Sequence, residues 1–215
     1  MIYKDRVQAG QKLAEKLIKY KNQKNTIILA LPRGGVVTGF EIAKILNLPL
    51  DIVVPRKIGA PQNEEYAIGA ITESGEGILN QETIASLNIT KDYLEQTIAK
   101  EKKEAQRRLE TYRQNRPPLN LSDKTVIIID DGIATGLTMR AAIKSIKEKK
   151  AKKIIVAVPV SAQDSLKTIK QEVDEVICLH APLFFGAVGA FYEQFGQTTD
   201  QEVIDLMSKA NNFDK

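Results

Sequence analysis

The sequence predicts an α/β domain of three layers, with helices on both faces of a mostly parallel sheet. Three observations carry this. Val126-Ile127-Ile128-Ile129 puts four β-branched residues in a row, the pattern of a strand buried on both faces in a parallel sheet. Short apolar strand patterns alternate with helical patterns along the chain, which is the signature of stacked α/β layers. With 215 residues, 43% hydrophobic and 27% charged, there is enough apolar material for one full core.

In chain order, residues 5–20 place Val7, Leu13, Leu17 and Ile18 at helical spacing, so a first helix lays one stripe on the core. After the polar break 22–25, Thr26 to Leu31 form a short buried strand. It runs into Pro32-Arg33-Gly34-Gly35, and Val36 to Leu46 carry a helix that Asn47-Leu48-Pro49 ends. Residues 50–54 give the next strand. A loop over 55–65, polar and rich in Gly and Pro, has the character of a mobile lid. Residues 66–71 alternate as a strand and, with so short a connection, should run antiparallel to their predecessor. Gly75-Glu76-Gly77 is a turn and 78–80 a short edge strand. From Thr90 to Arg113 runs the longest helix, with Leu94, Ile98, Ala105, Leu109 and Tyr112 on one narrow stripe and charged residues elsewhere. Such a helix packs along one seam, on the domain or on another subunit, until Pro117-Pro118 stops it. Strands over 125–130, 153–158 and 175–179 alternate with helices after 138 and over 164–170.

Several function classes are excluded early. No run of about 18 apolar residues exists to span a membrane, and the N-terminus lacks a signal-like apolar region, so a cytoplasmic location is expected. Single residues, Cys178 and His180, cannot build a His/Cys zinc site. Cys178 reads as a small buried hydrophobe and His180 as structural, and no nucleophile elbow accompanies the histidine. The formal charge is +4, with lysines spread over helix faces rather than gathered with aromatics, which argues against a nucleic-acid surface.

Two turns carry chemistry. The first, Asp130 to Thr138, follows a buried strand with two acids, a run of small residues and hydroxyls, and a helix start. Backbone N–H groups at a helix N-terminus attract an anion, and Gly136 allows close approach. Thr135 and Thr138 add hydroxyl donors. Asp130 and Asp131 would repel a phosphate, so they should face ribose hydroxyls or Mg2+ through water. The second turn, Pro32-Arg33-Gly34-Gly35, pairs glycines that can aim N–H groups at an oxyanion with an arginine suited to phosphate. It matches neither a dinucleotide fingerprint nor a P-loop.

The stretch 126–138 resembles the PRPP-binding motif of type I phosphoribosyltransferases: apolar strand, two acids, then a loop ending Thr-Gly-x-Thr (PRPP is 5-phosphoribosyl 1-pyrophosphate). The whole chain is similar to a set of bacterial "predicted phosphoribosyltransferases" sharing Arg-Gly-Gly-Val (33–36), Arg-Lys-x-Gly-Ala-Pro (56–61) and Asp-Asp-Gly-x-Ala-Thr-Gly (130–136). The resemblance implies a single domain over 1–215, with a core of about 1–80 and 119–180, a helical insertion at about 81–118 and a hood at about 181–215. It implies a sheet ordered 3-2-1-4-5-6 with strand 3 antiparallel. Strands 1 and 4 then lie side by side, and both turns flank the point where strand order reverses, where crevices form.

The roles follow from the resemblance. Ile133, Ala134, Thr135, Gly136, Leu137 and Thr138 hold the 5-phosphate, and Asp130 and Asp131 take the ribose diol and, through it or through water, Mg2+. Arg33, Gly34, Gly35, Arg56 and Lys57 hold pyrophosphate, with Arg33, Lys57 and the two acids as the catalytic set. A cis peptide in the first turn is expected at Pro32–Arg33, and the 55–65 loop closes over PRPP. The implied activity is Mg-dependent transfer of the 5-phosphoribosyl group to a nitrogen acceptor, a nucleobase, by a homodimer. The alternatives are a PRPP-sensing regulator that has lost transfer and, less well matched because it would be longer and need an ATP site, a PRPP-synthesising diphosphokinase.

The C-terminal stretch changes character. Phe184, Phe185, Phe191, Phe195 and Phe213, five of the six phenylalanines, fall after position 180. Phe184, Phe185, Phe191 and Tyr192 are the acceptor-binding candidates, an aromatic wall for a planar base; a satellite core or dimer contact is the other reading. Many oxopurine-specific relatives carry an acid four residues after the first motif acid. Ala134 stands there in this chain, as in adenine-specific relatives, which tilts the expectation away from oxopurines without fixing an acceptor.

Overall fold

The computed structural model describes residues 1–210, apart from the side chain of Glu65; Phe213 lies outside the described residues. The main sheet has five strands, all parallel, in the order β2-β1-β6-β7-β8. These are β1 (Thr26–Ala30), β2 (Leu50–Ile52), β6 (Thr125–Ile129), β7 (Lys153–Val160) and β8 (Glu175–His180). Alternate residues of the central strands feed two cores, as a period of two requires. Ile28, Ala30, Ile127 and Ile129 face α1 (Arg6–Lys16), α2 (Gly34–Leu46) and α7 (Asp200–Ala210). Ile27, Leu29, Val126 and Ile128 face α5 (Leu137–Glu148) and α6 (Gln163–Lys170). Ile127 and Ile128 are both 0% exposed, and each such side chain contributes about 1.5–3 kcal/mol through burial.

The sheet corresponds to 2-1-4-5-6 of the expected order, and the expected third strand departs from it. That strand, β4 (Asn63–Ile71), pairs antiparallel with β3 (Arg56–Ala60) and β5 (Gly77–Leu79) in a separate three-stranded sheet. The main-sheet ladder of β2 ends at Ile52, and Pro55, which has no N–H to donate, follows close behind. The stretch expected as a mobile loop is instead a hairpin, with Ala60 opposite Asn63 across Pro61-Gln62. Its apolar face, Ile58, Ala60, Ile68 and Ile71, has its own small core with Ile84 of the short helix α3 (Gln81–Ser86) and with Tyr93, Leu94 and Ile98, and burying that face fixes the hairpin.

The long helix α4 (Lys91–Arg113) starts at Thr90, whose hydroxyl accepts from the Tyr93 N–H. At 1.5 Å per residue it is roughly 34 Å long. Tyr93, Leu94 and Ile98 pack on the small core, whereas Ala105, Leu109 and Tyr112 pack on the main one. The helix is therefore a strut between the two sheets, its seam used on this chain. In α1 the buried stripe is Ala9, Leu13 and Ala14, followed by Leu17. Val7 and Ile18, expected on that stripe, are exposed: Val7 points away from the face of Ala9 and Leu13, and the α-helix stops at Lys16, where a short 3-10 turn over Ile18–Tyr20 turns Ile18 out. Residues 181–199 cross the carboxyl end of the sheet, and α7 then returns to the core against α2 and α4 through Val203 and Met207.

The start of β8 is tied down by charge. Glu175 accepts from Lys19 Nζ at 2.7 Å, Tyr20 Oη at 2.8 Å and Lys153 Nζ at 2.9 Å. The Lys19 hydrogen bond is the main cause that lowers its pKa from the usual 4.5 to about 2. Glu104, held chiefly by Arg107 and also by Arg108, is lowered to about 2 as well. A carboxylate whose folded pKa is depressed stabilises the fold above its unfolded pKa and loses that contribution as pH falls through the folded one. Thermal stability should therefore fall between pH 4.5 and 2. Glu175→Gln should flatten that limb in an unfolding series over pH; an unchanged slope would remove Glu175 from the acid response.

Candidate active site

β1 and β6 are neighbours, Ala30 opposite Ile129, and the chain leaves them in opposite directions, to β2 on one side and β7 on the other. The two glycine turns open at this switch point. The Leu31 N–H donates to the Ile129 carbonyl at 2.9 Å. A Cβ on Gly35 would lie 2.9 Å from Asp130 Cα and 3.0 Å from the Ile129 carbonyl oxygen. One on Gly34 would overlap the Asp131 carboxylate and lie 2.7 Å from Arg6 Nε. The turns are thus in contact, with the acid pair between them, and glycine is required by close approach.

Both turns end in a helix that lacks a side-chain cap. α2 begins at Gly34 with Arg33 as N-cap, and α5 begins at Leu137 with Gly136 as N-cap at φ +76°. Neither N-cap residue gives a side-chain oxygen to the first turn, so two helix N-termini present N–H groups and partial positive charge beyond the carboxyl ends of the adjacent strands β1 and β6. The Pro32–Arg33 peptide is cis, at the position expected. The 133–138 loop is held from behind: the Ile133 N–H donates to the Val160 carbonyl and its carbonyl accepts from the Ala162 N–H, both at 2.9 Å, and Ser165 Oγ donates to the Ala134 carbonyl at 2.5 Å. Ala134 and Thr135 are exposed, Thr138 half-buried in the first turn of α5.

The acids are in unlike settings. Asp130 is half-buried; burial first, then the neighbouring Asp131 charge, push its pKa well above the usual carboxylate range. One of its oxygens accepts from the Asp131 N–H at 2.8 Å. Asp131 Oδ2 accepts from Arg6 Nε at 2.6 Å, and its backbone carbonyl accepts from Tyr192 Oη, also at 2.6 Å. Arg33 is turned to α7, its Nη1 3.3 Å from Asp200 Oδ1, and Asp200 also accepts from Tyr112 Oη at 2.6 Å. That tyrosine bond leads the causes that lower the Asp200 pKa, while burial and Asp200 push Tyr112 up to about 12.

Other candidate residues are placed elsewhere. Arg56 and Lys57 stand on β3, not on a loop, and line a cavity of about 380 Å³ against α4 with Glu64, Tyr93, Lys100 and Glu101. Arg56 is paired there with Glu101 at 2.8 Å. None of the turn residues 33–35 or 130–138 lines that cavity. Phe185 stacks on Phe191 at 5.4 Å, and His180 meets Phe191 edge-on at 5.7 Å. Phe184 is 92% exposed. Tyr192, read as part of an aromatic wall, is buried, with its hydroxyl spent on the Asp131 carbonyl; burial pushes its phenol pKa up. Arg6 and Asp200 are not singled out in the sequence, and Tyr112 is read there only as part of a packing stripe. Arg6 follows an ordinary helix-capping Asp5, and no local pattern marks it. Cys178 is half-buried on the α5/α6 side of the sheet.

Among the described residues no group of three or more His, Cys, Asp or Glu side chains is placed to hold a metal ion, and no helix is long and apolar enough to cross a membrane. A further consequence of the close packing is testable. Gly35→Ala should push the first turn away from β6, because two of the three nearest atoms, Asp130 Cα and the Ile129 carbonyl oxygen, are backbone and cannot swing aside. The cost should be about 1–3 kcal/mol, read in denaturant unfolding; a loss near zero would show that the turns are not in firm contact.

A parallel sheet with two glycine turns and an acid pair at its switch point defines the class. The chain belongs to the phosphoribosyl transferase domain family, whose model matches residues 1–195. Two Mycobacterium tuberculosis proteins, each provisionally named a phosphoribosyl transferase, are 39% identical to it over 210 residues, 98% of this chain and 47% of theirs. The chain thus spans about half the length of these relatives. A uracil phosphoribosyltransferase of Mycoplasma genitalium is 41% identical over 71 residues, 33% of this chain and 32% of that protein. The crystal structure of TT1426 from Thermus thermophilus superposes with a TM-score of 0.81 at 37% identity, over 97% of this chain and 99% of that one.

Proposed function

We propose that this protein is an enzyme that transfers the 5-phosphoribosyl group of PRPP to the nitrogen of a nucleobase, releasing pyrophosphate. The single observation that carries the reading is the contact of the Gly34-Gly35 turn, at the uncapped start of α2, with the acid pair that leads into the likewise uncapped start of α5. A ligand with an anion at each end and a diol in the middle suits that arrangement, and PRPP is such a ligand. In this reading the Ile133–Thr138 loop holds the 5-phosphate by its N–H groups and Thr hydroxyls. Gly34 and Gly35 hold the pyrophosphate, with Arg33 swinging from Asp200.

Asp131 faces the ribose, where its negative charge favours the oxocarbenium-like centre that forms as pyrophosphate leaves. Mg2+, when bound, would neutralise charge on the leaving pyrophosphate. With only two carboxylates at hand, one of them on Arg6, the ion would take most of its oxygens from PRPP and water. Arg56 and Lys57 require a movement of the β3–β4 hairpin to reach the pyrophosphate, so they belong to a closed state. The acceptor lies on the side of residues 181–199, beside the Phe185–Phe191 stack.

Because a uracil enzyme matches a third of the chain and Ala134 disfavours oxopurines, the panel of acceptors should include pyrimidines as well as adenine. The test is pyrophosphate release from PRPP with Mg2+ and each base in turn. Turnover on one base supports the reading. PRPP binding with no release on any base would replace it with a PRPP-sensing role for the same crevice.

A further inference from the structure

Arg6 is the residue whose surroundings are least explained by a structural role alone. It comes from the first turn of α1, 125 positions from the acid it contacts. Its Nε donates to Asp131 Oδ2 at 2.6 Å and its Nη1 to the Gly196 carbonyl at 2.8 Å. Its guanidinium carbon lies 3.9 Å from the centre of the Phe195 ring. The same Nε sits 2.7 Å from the point a Cβ on Gly34 would occupy. The guanidinium therefore touches the motif acid, the glycine turn and the C-terminal segment, and is 11% exposed. A guanidinium has five donors; among the described residues Nη2 has no hydrogen-bond partner. The cation thus keeps one amino group without a partner, suited to a charged hydrogen bond to a phosphate oxygen.

We propose that Arg6 is a catalytic cation on the pyrophosphate side of the site, shared between Asp131 and the phosphate attached to the ribose C1 oxygen when PRPP is bound. The inference rests on the reading of the crevice as a PRPP site. Ribose on the acids and pyrophosphate on Gly34 and Gly35 put the bridging oxygen between them, beside the Arg6 guanidinium. As transfer proceeds, the bond from C1 to that oxygen breaks and its electron pair leaves on the pyrophosphate. The acceptor nitrogen supplies the pair for the new C–N bond, and its proton departs to solvent. A fixed cation at the bridging oxygen favours this charge movement. Asp131 serves Arg6 as the anion that keeps it in place until the phosphate arrives, and Phe195 with the Gly196 carbonyl covers it from outside.

The experiment is calorimetric titration of inorganic pyrophosphate and of PRPP, each with Mg2+, into the whole chain and its Arg6→Gln, Arg6→Lys and Asp131→Asn variants. Arg6→Gln should weaken binding of both ligands by about 10- to 100-fold, the range for a lost charged hydrogen bond. Arg6→Lys, which keeps the charge and loses the fork, should recover part of that loss. Asp131→Asn should lose more affinity for PRPP than for pyrophosphate, because the acid faces the ribose. Folded Arg6→Gln binding both ligands within about twofold of the unaltered chain would overturn the proposal and leave the PRPP reading standing. Should Arg6→Gln fail to fold, Arg6→Lys decides alone, full affinity for pyrophosphate and undiminished pyrophosphate release counting against the role. An unaltered chain that binds no PRPP would defeat the PRPP reading and this inference with it.

Discussion

Asp131→Asn is expected to lower pyrophosphate release from PRPP by about 10²- to 10³-fold, the loss typical when one preorganised electrostatic contact to a transition state is removed. Asparagine keeps the shape and can still accept from Arg6, so the change falls on charge. The fold should be retained. The Tyr192 hydroxyl bonds the backbone carbonyl of residue 131 rather than its side chain, and Ile133 is anchored independently to β7. Asp130→Asn makes the informative comparison. The Asp130 carboxyl is pushed towards its neutral form by burial and by Asp131, so a neutral isostere disturbs the unliganded protein less there. Turnover and the unfolding midpoint of both variants are the measurements. Unreduced turnover in Asp131→Asn would take that acid out of the chemistry, whatever the crevice binds.

What was legible in the sequence follows the range over which each signal acts. The buried strands β1, β6 and β7 are local apolar runs, and their residues alone demand two covered faces. The glycine turns were legible because φ +76° at Gly136 and close approach at Gly34 and Gly35 call for a residue type that marks itself. Thr90 announced the start of α4 in the same way. The split of the sheet was not legible. Residues 63–71 alternate equally well whether they pair with β2 or with β3, and the choice is made by the satellite core that Ile84, Leu94 and Ile98 complete from later in the chain. The hairpin's Gly and Pro content suggested mobility because the apolar partners of Ile58 and Ile68 were not in view. Arg6 with Asp131, and Arg33 with Asp200 and Tyr112, are pairings across most of the chain, and charged residues are too common for such a pair to be picked out beforehand. Tyr192 shows the limit of composition: aromatic enrichment beside a crevice does not say whether the ring or its hydroxyl does the work.

Asp51→Ala should cost about 3–5 kcal/mol of folding stability, the range for breaking a buried ion pair by removing one partner. The reason lies in how fully this carboxylate is used. Asp51 sits inside β2, 5% exposed. Its Oδ1 accepts from Arg113 Nε at 2.9 Å and the Ile52 N–H at 2.8 Å. Its Oδ2 accepts from Arg113 Nη2 at 2.8 Å and the Leu119 N–H at 3.1 Å. Alanine would strand a guanidinium that is only 12% exposed, leaving it the Ile52 carbonyl at 3.2 Å. For a chain of this size the loss corresponds to roughly 6–20 °C in Tm. A drop of less than about 1 kcal/mol in denaturant unfolding would mean that water replaces the carboxylate and that the pair is not effectively buried. The consequence reaches the site by a short path. Arg113 ends α4, and the adjacent Tyr112 holds Asp200, which holds Arg33. Loosening that end of the strut should free Arg33 from its rest position, so at temperatures where Asp51→Ala remains folded its affinity for pyrophosphate should change while the Arg6–Asp131 contact, supported from α1, stays intact.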